Sequence, residues 1–283
     1  MFDLWIIYAV LSGVFVSIRE LYIKKYIQQP PEIISFTTRF YGSILLLLIA
    51  SQGKIHIDNV PVFIGITMIT VVITAFTTIV RLRLIKAEEI SLTTPWLGAI
   101  PLFMVVWSAV IFRELPNATS FLGIIFVCLG AFTINFKGGT LHMKRASLLM
   151  LLIAGFLGLT TTLDKIAIGA SSAITYSLIW TVTSTFLMYG VAKKKTKKVL
   201  ILDKHLIVQA VFWVAEFLFQ MLAVQNVSAT SSGTTYVKTL TMLNIIITTI
   251  FGSIIFKEKD NKKRIISALL IFVGAVILVL FRG

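Results

Sequence analysis

FRELPNATSFLGIIFVCLGAF, residues 112–132, has a counterpart in FKEKDNKKRIISALLIFVGAV, residues 256–276, at an offset of 144 residues with no gap. Phe112 matches Phe256, Glu114 matches Glu258, Asn117 matches Asn261, and Gly130-Ala131 match Gly274-Ala275. Four matches in one register, each at the same place in a helix-loop-helix, read as an internal repeat. Each copy sits near the end of a half-chain, so the halves are 1–140 and 141–283.

What surrounds the repeat sets its class. The chain is 57% hydrophobic and only 13% charged, against about a quarter charged in ordinary soluble domains. Its apolar residues come in runs near the roughly 20 needed to cross hydrocarbon. No alternating ten-residue segments of a membrane barrel are present. Ten spans are read: 4–22, 33–51, 60–84, 89–112, 117–136, 146–167, 172–192, 205–227, 230–256 and 263–281. Connectors are short, with breaks at Gln29-Pro30-Pro31, Gln52-Gly53-Lys54, Lys137-Gly138-Gly139 and the run KKKTKK at 193–198. The N-terminus lacks a basic region and a small-residue cleavage site, so 4–22 reads as a retained helix. Five spans per half is an odd number, so the two copies enter the membrane in opposite senses. The expected fold is all-α and polytopic, ten transmembrane helices as two inverted five-helix repeats. That architecture places a substrate site near the midplane between the halves.

The net charge of +14 does not point to nucleic acid, because the charges sit in short loops between apolar runs. Loops after odd-numbered spans hold Lys24, Lys25, Arg81, Arg83, Lys86, Lys137, Lys144, Arg145, the 193–198 run, Lys204, Lys257, Lys259, Lys262, Lys263 and Arg264. The other side holds Lys54, Arg113, Lys165 and Arg282. The positive-inside rule puts the odd-numbered loops in the cytoplasm and both termini outside a cell (inner or plasma) membrane. KKKTKK also fits an anionic-lipid patch on that same face.

Chemistry-bearing motifs are few. His56, His142 and His205 lie in loops or at helix ends, and the single cysteine, Cys128, lies in an apolar run. No His-Glu-x-x-His stretch, serine–histidine constellation, cysteine pair or GxxxxGK[ST] phosphate loop occurs. Hydrolase and metal chemistry lack residues, ATP does not drive the chain directly, and no cofactor is expected.

The polar residues inside the spans carry the functional signal. In span nine Thr234, Lys238, Thr241 and Thr248 share one helical face, with Asn244 beside it. In span eight Gln209, Trp213, Glu216 and Gln220 form a stripe, and in span three Thr67, Thr70, Thr74, Thr77 and Arg81 form another. Threonine faces also arise from helix packing, but charge is far costlier than hydroxyl in hydrocarbon. Lys238 lies roughly 12 Å into span nine and Glu216 roughly 17 Å into span eight, at 1.5 Å per residue. Both depths are near the middle of a core about 30 Å thick. Two readings follow. Lys238 binds an anionic part of a substrate, with Glu216 balancing its charge or carrying a coupling proton. In the other, a permanent Lys238–Glu216 pair only joins the helices. Intramembrane ionisable groups favour the first. Arg39, six residues into span two, either snorkels or reaches the cavity to meet Glu20. Glu20 and Lys24 are spaced for an i, i+4 pair. Asp164-Lys165 reads as an interface marker, and Glu114 and Glu258 as structural. Trp96 and Trp213 are candidate cavity walls, or plain packing.

The chain resembles the EamA-like members of the drug/metabolite transporter superfamily. The resemblance rests on the five-plus-five repeat, the Pro-x7-Arg-Phe entry to span two (Pro31, Arg39, Phe40), Pro101-Leu102 followed by Glu114, and the Gly130 and Gly274 turns. It covers nearly the whole chain. Ile245 stands where the first half has Pro101, so helix bending is expected only in the first half, at Pro95 and Pro101. The resemblance implies alternating access, a small-molecule substrate, lipid as the surrounding partner, and a coupling proton or counter-substrate. Substrates in such families range over amino acids, sugar derivatives, phosphates and organic cations, and many relatives export. Lys238 tilts the choice toward a carboxylate or phosphate. A flippase for a lipid-linked sugar, a channel and a non-transporting scaffold are the rival readings. The candidate substrate-binding residues are Lys238, Glu216, Trp213, Thr234, Thr241, Gln220, Trp96, Arg39 and Glu20.

Overall fold

The computed structural model describes residues 3–53, 55–88, 94–133, 136–137, 140–141, 145–196, 199, 202–227, 232–256 and 261–280. They form eleven α-helices: α1 Leu4–Tyr26, α2 Pro31–Ala50, α3 Val60–Ala87, α4 Ile100–Phe112, α5 Ala118–Thr133, α6 Arg145–Gly169, α7 Ala173–Lys193, α8 Lys204–Asn226, α9 Ser232–Thr241, α10 Asn244–Phe256 and α11 Asn261–Leu280. A 3-10 turn at Thr94–Ala99 leads into α4. Between α5 and α6, Phe136–Lys137 pair antiparallel with Thr140–Leu141. Among the described residues, six helical runs are long and apolar enough to cross a membrane: α1, α2, α3, α6, α8 and Gly233–Gly252. Trp96–Phe112, Ala118–Thr133 and Ile266–Ile277 are shorter apolar helices. The serines and threonines of α7 keep its 21 residues less apolar.

Local chemistry sets the helix starts. Pro31 occupies the first turn of α2, where a missing N–H costs nothing. The Asn59, Ser172 and Asp203 side chains accept from backbone N–H groups at the starts of α3, α7 and α8, satisfying donors that the helix itself leaves unpaired. The helix α3 runs past the expected end at 84, so Arg81, Arg83 and Lys86 lie on its last turns rather than in a loop.

Both halves contain a helix break. The first comes at the 3-10 turn before Ile100, and the second at Met242–Leu243 before Asn244. The helices after the breaks, Ile100–Phe112 and Asn244–Phe256, are both 13 residues long and lie 144 residues apart. The expectation of bending in the first half alone is therefore corrected: proline is not what makes the second break. A glycine lies against each break, and it lets the backbones touch. A Cβ on Gly13 would lie 2.8 Å from the Thr241 carbonyl oxygen, and one on Gly158 3.3 Å from that of Ile100. Ser17 Oγ lies 2.9 Å from the Gly13 carbonyl oxygen and 3.2 Å from that of Asn244, so α1 also touches the start of α10.

Packing follows a consistent scheme: α1 on α8, α3 on α6, α2 on α7, α5 on α11. The last contact is reciprocal. Gly130 faces Ser267 O and Ile271, while Gly274 faces Gly123 O and Val127. Each residue in one set lies 144 positions from its counterpart in the other. Outward faces carry large apolar residues such as Leu48, Phe76, Val110, Phe186 and Phe272, which water disfavours and lipid accepts.

Candidate functional site

A cavity of about 130 Å³ lies among α1, α2, α3, α6, α7, α8 and α9. Its described lining carries four cations, Arg19, Arg39, Arg81 and Lys238, and three carboxylates, Glu20, Asp164 and Glu216. Hydroxyls from Thr74, Thr77, Thr78, Thr160 and Thr161 complete the polar wall, and Trp180, Trp213 and Phe217 form an aromatic one. Beyond one end, Trp5, Leu46, Phe63, Ala170 and Tyr176 belong to a continuous apolar core. Toward the other, where α1 and α3 finish, Ile23, Leu82 and Ile85 line the cavity.

The ion pairs differ from those expected. Glu216 pairs with Arg19: Nη2 donates to Oε1 at 3.2 Å, and Nε lies 2.5 Å from Oε2. Glu20 pairs with Arg81 of α3. Because Arg19 and Glu20 are consecutive, they leave α1 about 100° apart and tie it to α8 and α3 separately. Of the two readings of Lys238, the direct pair with Glu216 is not formed: Lys238 Nζ donates to Gln220 Oε1 at 3.0 Å. Arg39 does not meet Glu20 either. It donates to the Ser184 hydroxyl, to the Ser35 carbonyl at 3.1 Å, to the Ser35 hydroxyl at 2.5 Å, and to Thr78 at 3.3 Å. Its guanidinium lies 5.7 Å from the Trp180 ring and 5.9 Å from the Trp213 ring, within cation–π range. Lys24 Nζ donates to the Glu88 carbonyl at 2.9 Å.

The aromatic wall is braced from behind. Phe217 stacks on Trp213 at 5.2 Å and tilts against Trp180 at 5.0 Å. Gly42 lets α2 approach, since a Cβ there would sit 3.0 Å from Trp213. Trp180 Nε1 donates to Thr70 Oγ1 at 3.1 Å, Thr70 lies 3.1 Å from the Tyr176 hydroxyl, and Tyr176 donates to Asp164 Oδ1 at 2.5 Å.

Six of the nine candidates line the cavity: Lys238, Glu216, Trp213, Gln220, Arg39 and Glu20. Three do not. Trp96 is buried against Phe132 at 5.3 Å in a separate apolar cluster. Thr241 Oγ1 bonds back to the Val237 carbonyl, and Thr234 is buried within α9 away from the lining. Asp164 is no interface marker; it is 7% exposed and lines the cavity. Arg19, Arg81, Asp164 and Trp180 were missed as site residues. Arg81 had a signal, since it continues the threonine stripe of α3 at helical spacing.

A multi-pass helical chain with a charged interior cavity is the setting in which a family match carries weight. The model of the EamA-like transporter family matches residues 3–136 and again 144–280. The chain belongs to the EamA-like transporter family. Members of this family are membrane transporters, and this EamA-like chain is accordingly a multi-pass membrane protein. No curated protein is matched. A solved structure described as "Crystal structure of protein" is similar over 99% of this chain and 96% of its own, with a TM-score of 0.69 and 13% identity. At that identity the likeness speaks to the fold.

Proposed function

We propose that this EamA-like chain is a secondary transporter that moves a small anionic metabolite by alternating access between two inverted five-helix halves, 1–140 and 141–283. The repeat reading is supported by the equal helices after the two breaks and by the reciprocal glycine contacts of α5 and α11. Exchange of halves also turns the α1–α8 contact into the α6–α3 contact, as a two-fold axis requires. The basic loops then face the cytoplasm of the cell membrane, with both termini outside.

One observation carries the substrate reading. Arg39 and Lys238 line the cavity, and neither has a carboxylate partner among the described residues. A cation inside a membrane protein with no carboxylate in contact is costly and marks a pathway. Here it calls for a carboxylate or phosphate from the substrate. Arg39, beside two stacked indoles, offers a planar anion site, while Lys238 and Gln220 offer a second polar contact. Glu216 and Glu20 hold the neighbouring arginines in place.

The test is a thermal-shift screen of metabolites on purified wild type and Lys238→Met. A ligand at 100 times its Kd adds about 2.7 kcal/mol to stability. An anionic compound should raise the wild-type midpoint and leave the variant unmoved. If the variant responds to the same compounds as wild type, Lys238 is no substrate residue and the reading fails.

A further inference from the structure

Two of the three cavity carboxylates already have a cation: Glu216 holds Arg19 and Glu20 holds Arg81. Asp164 does not. Among the described residues no lysine or arginine nitrogen pairs with it, and its hydrogen-bond partner is Tyr176, on Oδ1. It is buried, yet it faces the cavity. Tyr176 from α7 and Lys238 from α9 act on it directly. Glu216 and Gln220 from α8 and Arg81, Thr74 and Thr77 from α3 line the same cavity, and the 3-10 turn Thr94–Ala99 packed on α6 carries no titratable residue. The helix α4 contributes no titratable residue.

The row behind Asp164 has a direction. An indole N–H only donates and a carboxylate only accepts. The Trp180, Thr70 and Tyr176 groups between them therefore lead toward Asp164. The row also joins Thr70, in the first matched segment, to three residues in the second. It lies on the cavity wall next to the apolar seal that contains Tyr176.

We propose that Asp164 is the coupling-proton site of this transporter. A proton from cavity water binds Oδ2, while Oδ1 keeps its bond from Tyr176. It returns to water when the cavity opens on the other face, and no bond other than that O–H bond is made or broken. The inference rests on the transporter reading and adds the ion to it. The sign of the coupling follows from the charges. With Asp164 ionised, the described lining carries one positive charge in excess; with Asp164 protonated, two. A substrate anion binds the second form more tightly, and by linkage the anion favours the proton equally. Proton and anion therefore travel in the same direction.

The experiment is a pH titration of the purified protein without substrate, reading the infrared C=O stretch of protonated carboxyls and tryptophan emission together. Wild type minus Asp164→Asn should show one reversible carboxyl band that appears on acidification. The double variant Arg19→Met with Glu216→Gln should retain that band. Tryptophan emission should change at the same midpoint, through Trp180, and that change should be lost in Trp180→Phe. Tyr176→Phe and Asp164→Glu should keep a titrating carboxyl at a displaced midpoint, which serves if Asp164→Asn does not fold. A band that survives Asp164→Asn, or a midpoint unmoved in both other variants, overturns the proposal. No substrate enters the titration. An anion screen without hits leaves this result standing, and a failed titration leaves the anion site standing.

Discussion

Glu216→Gln should be among the most damaging single changes in the chain, and a second change should undo much of the damage. Glu216 takes a hydrogen bond from Arg19 at Oε1 and an ion-pair contact at Oε2, and the two side chains are 16% and 9% exposed. Removing the carboxylate leaves the Arg19 guanidinium facing Arg39, Arg81 and Lys238 across the cavity with only Glu20 and Asp164 against them. Breaking one member of a buried pair costs about 3–5 kcal/mol, whereas replacing both members by packed neutral groups is often close to neutral. For a protein of this size the single loss corresponds to a fall in midpoint on the order of 10 °C. Arg19→Met with Glu216→Gln should recover most of it. Cys128 supplies the assay. It is the chain's one cysteine, 2% exposed, with its thiol 3.1 Å from the Gly98 carbonyl. A thiol-reactive fluorophore therefore labels it only on unfolding, and the midpoint is read directly. Equal midpoints for Glu216→Gln and wild type, or a double variant no better than the single, would refute the pair as the structural tie between α1 and α8.

The same thiol assay tests three further outcomes. Lys238→Met should keep a wild-type midpoint or exceed it, because the lysine's partner is a neutral amide; a loss as large as that of Glu216→Gln would make Lys238 structural. Gly274→Ala should cost about 1–3 kcal/mol by overpacking, since its Cβ would lie 2.6 Å from the Gly123 carbonyl oxygen. Gly65→Ala, with nothing within 4 Å, should be neutral or slightly stabilising in its helix, and matching losses at both glycines would sink the close-packing account. For topology, a Cys128→Ser background carrying cysteine at Arg282 or at Lys195 separates the two faces. An impermeant thiol reagent on intact cells should label the first site, and the second only after permeabilisation; the reverse pattern inverts the protein.

The sequence by itself was enough for the class, the family and most of the residues that line the cavity's charged wall as candidates. Burial in lipid forces long apolar runs, so the spans are written in composition, and the 144-residue register is visible because glycine is required where α5 and α11 touch. Lys238 and Glu216 stood out for the same reason: charge inside an apolar run is rare and costly. What the sequence could not supply was which charges meet. Depth along a helix follows from counting, and face follows from a 3.6-residue period. The partner depends on how seven helices turn those faces toward one another. Tertiary packing brought Arg19, not Lys238, to Glu216, and Arg81, not Arg39, to Glu20. It left Arg39 among hydroxyls and indoles, and moved Asp164 from an apparent helix end into the cavity. The second half also breaks at Met242–Leu243 without a proline, where Gly13 sits against Thr241 and Ser17 reaches the Asn244 carbonyl. Those pairings join residues as many as 227 positions apart, and only the folded arrangement of the helices decides them.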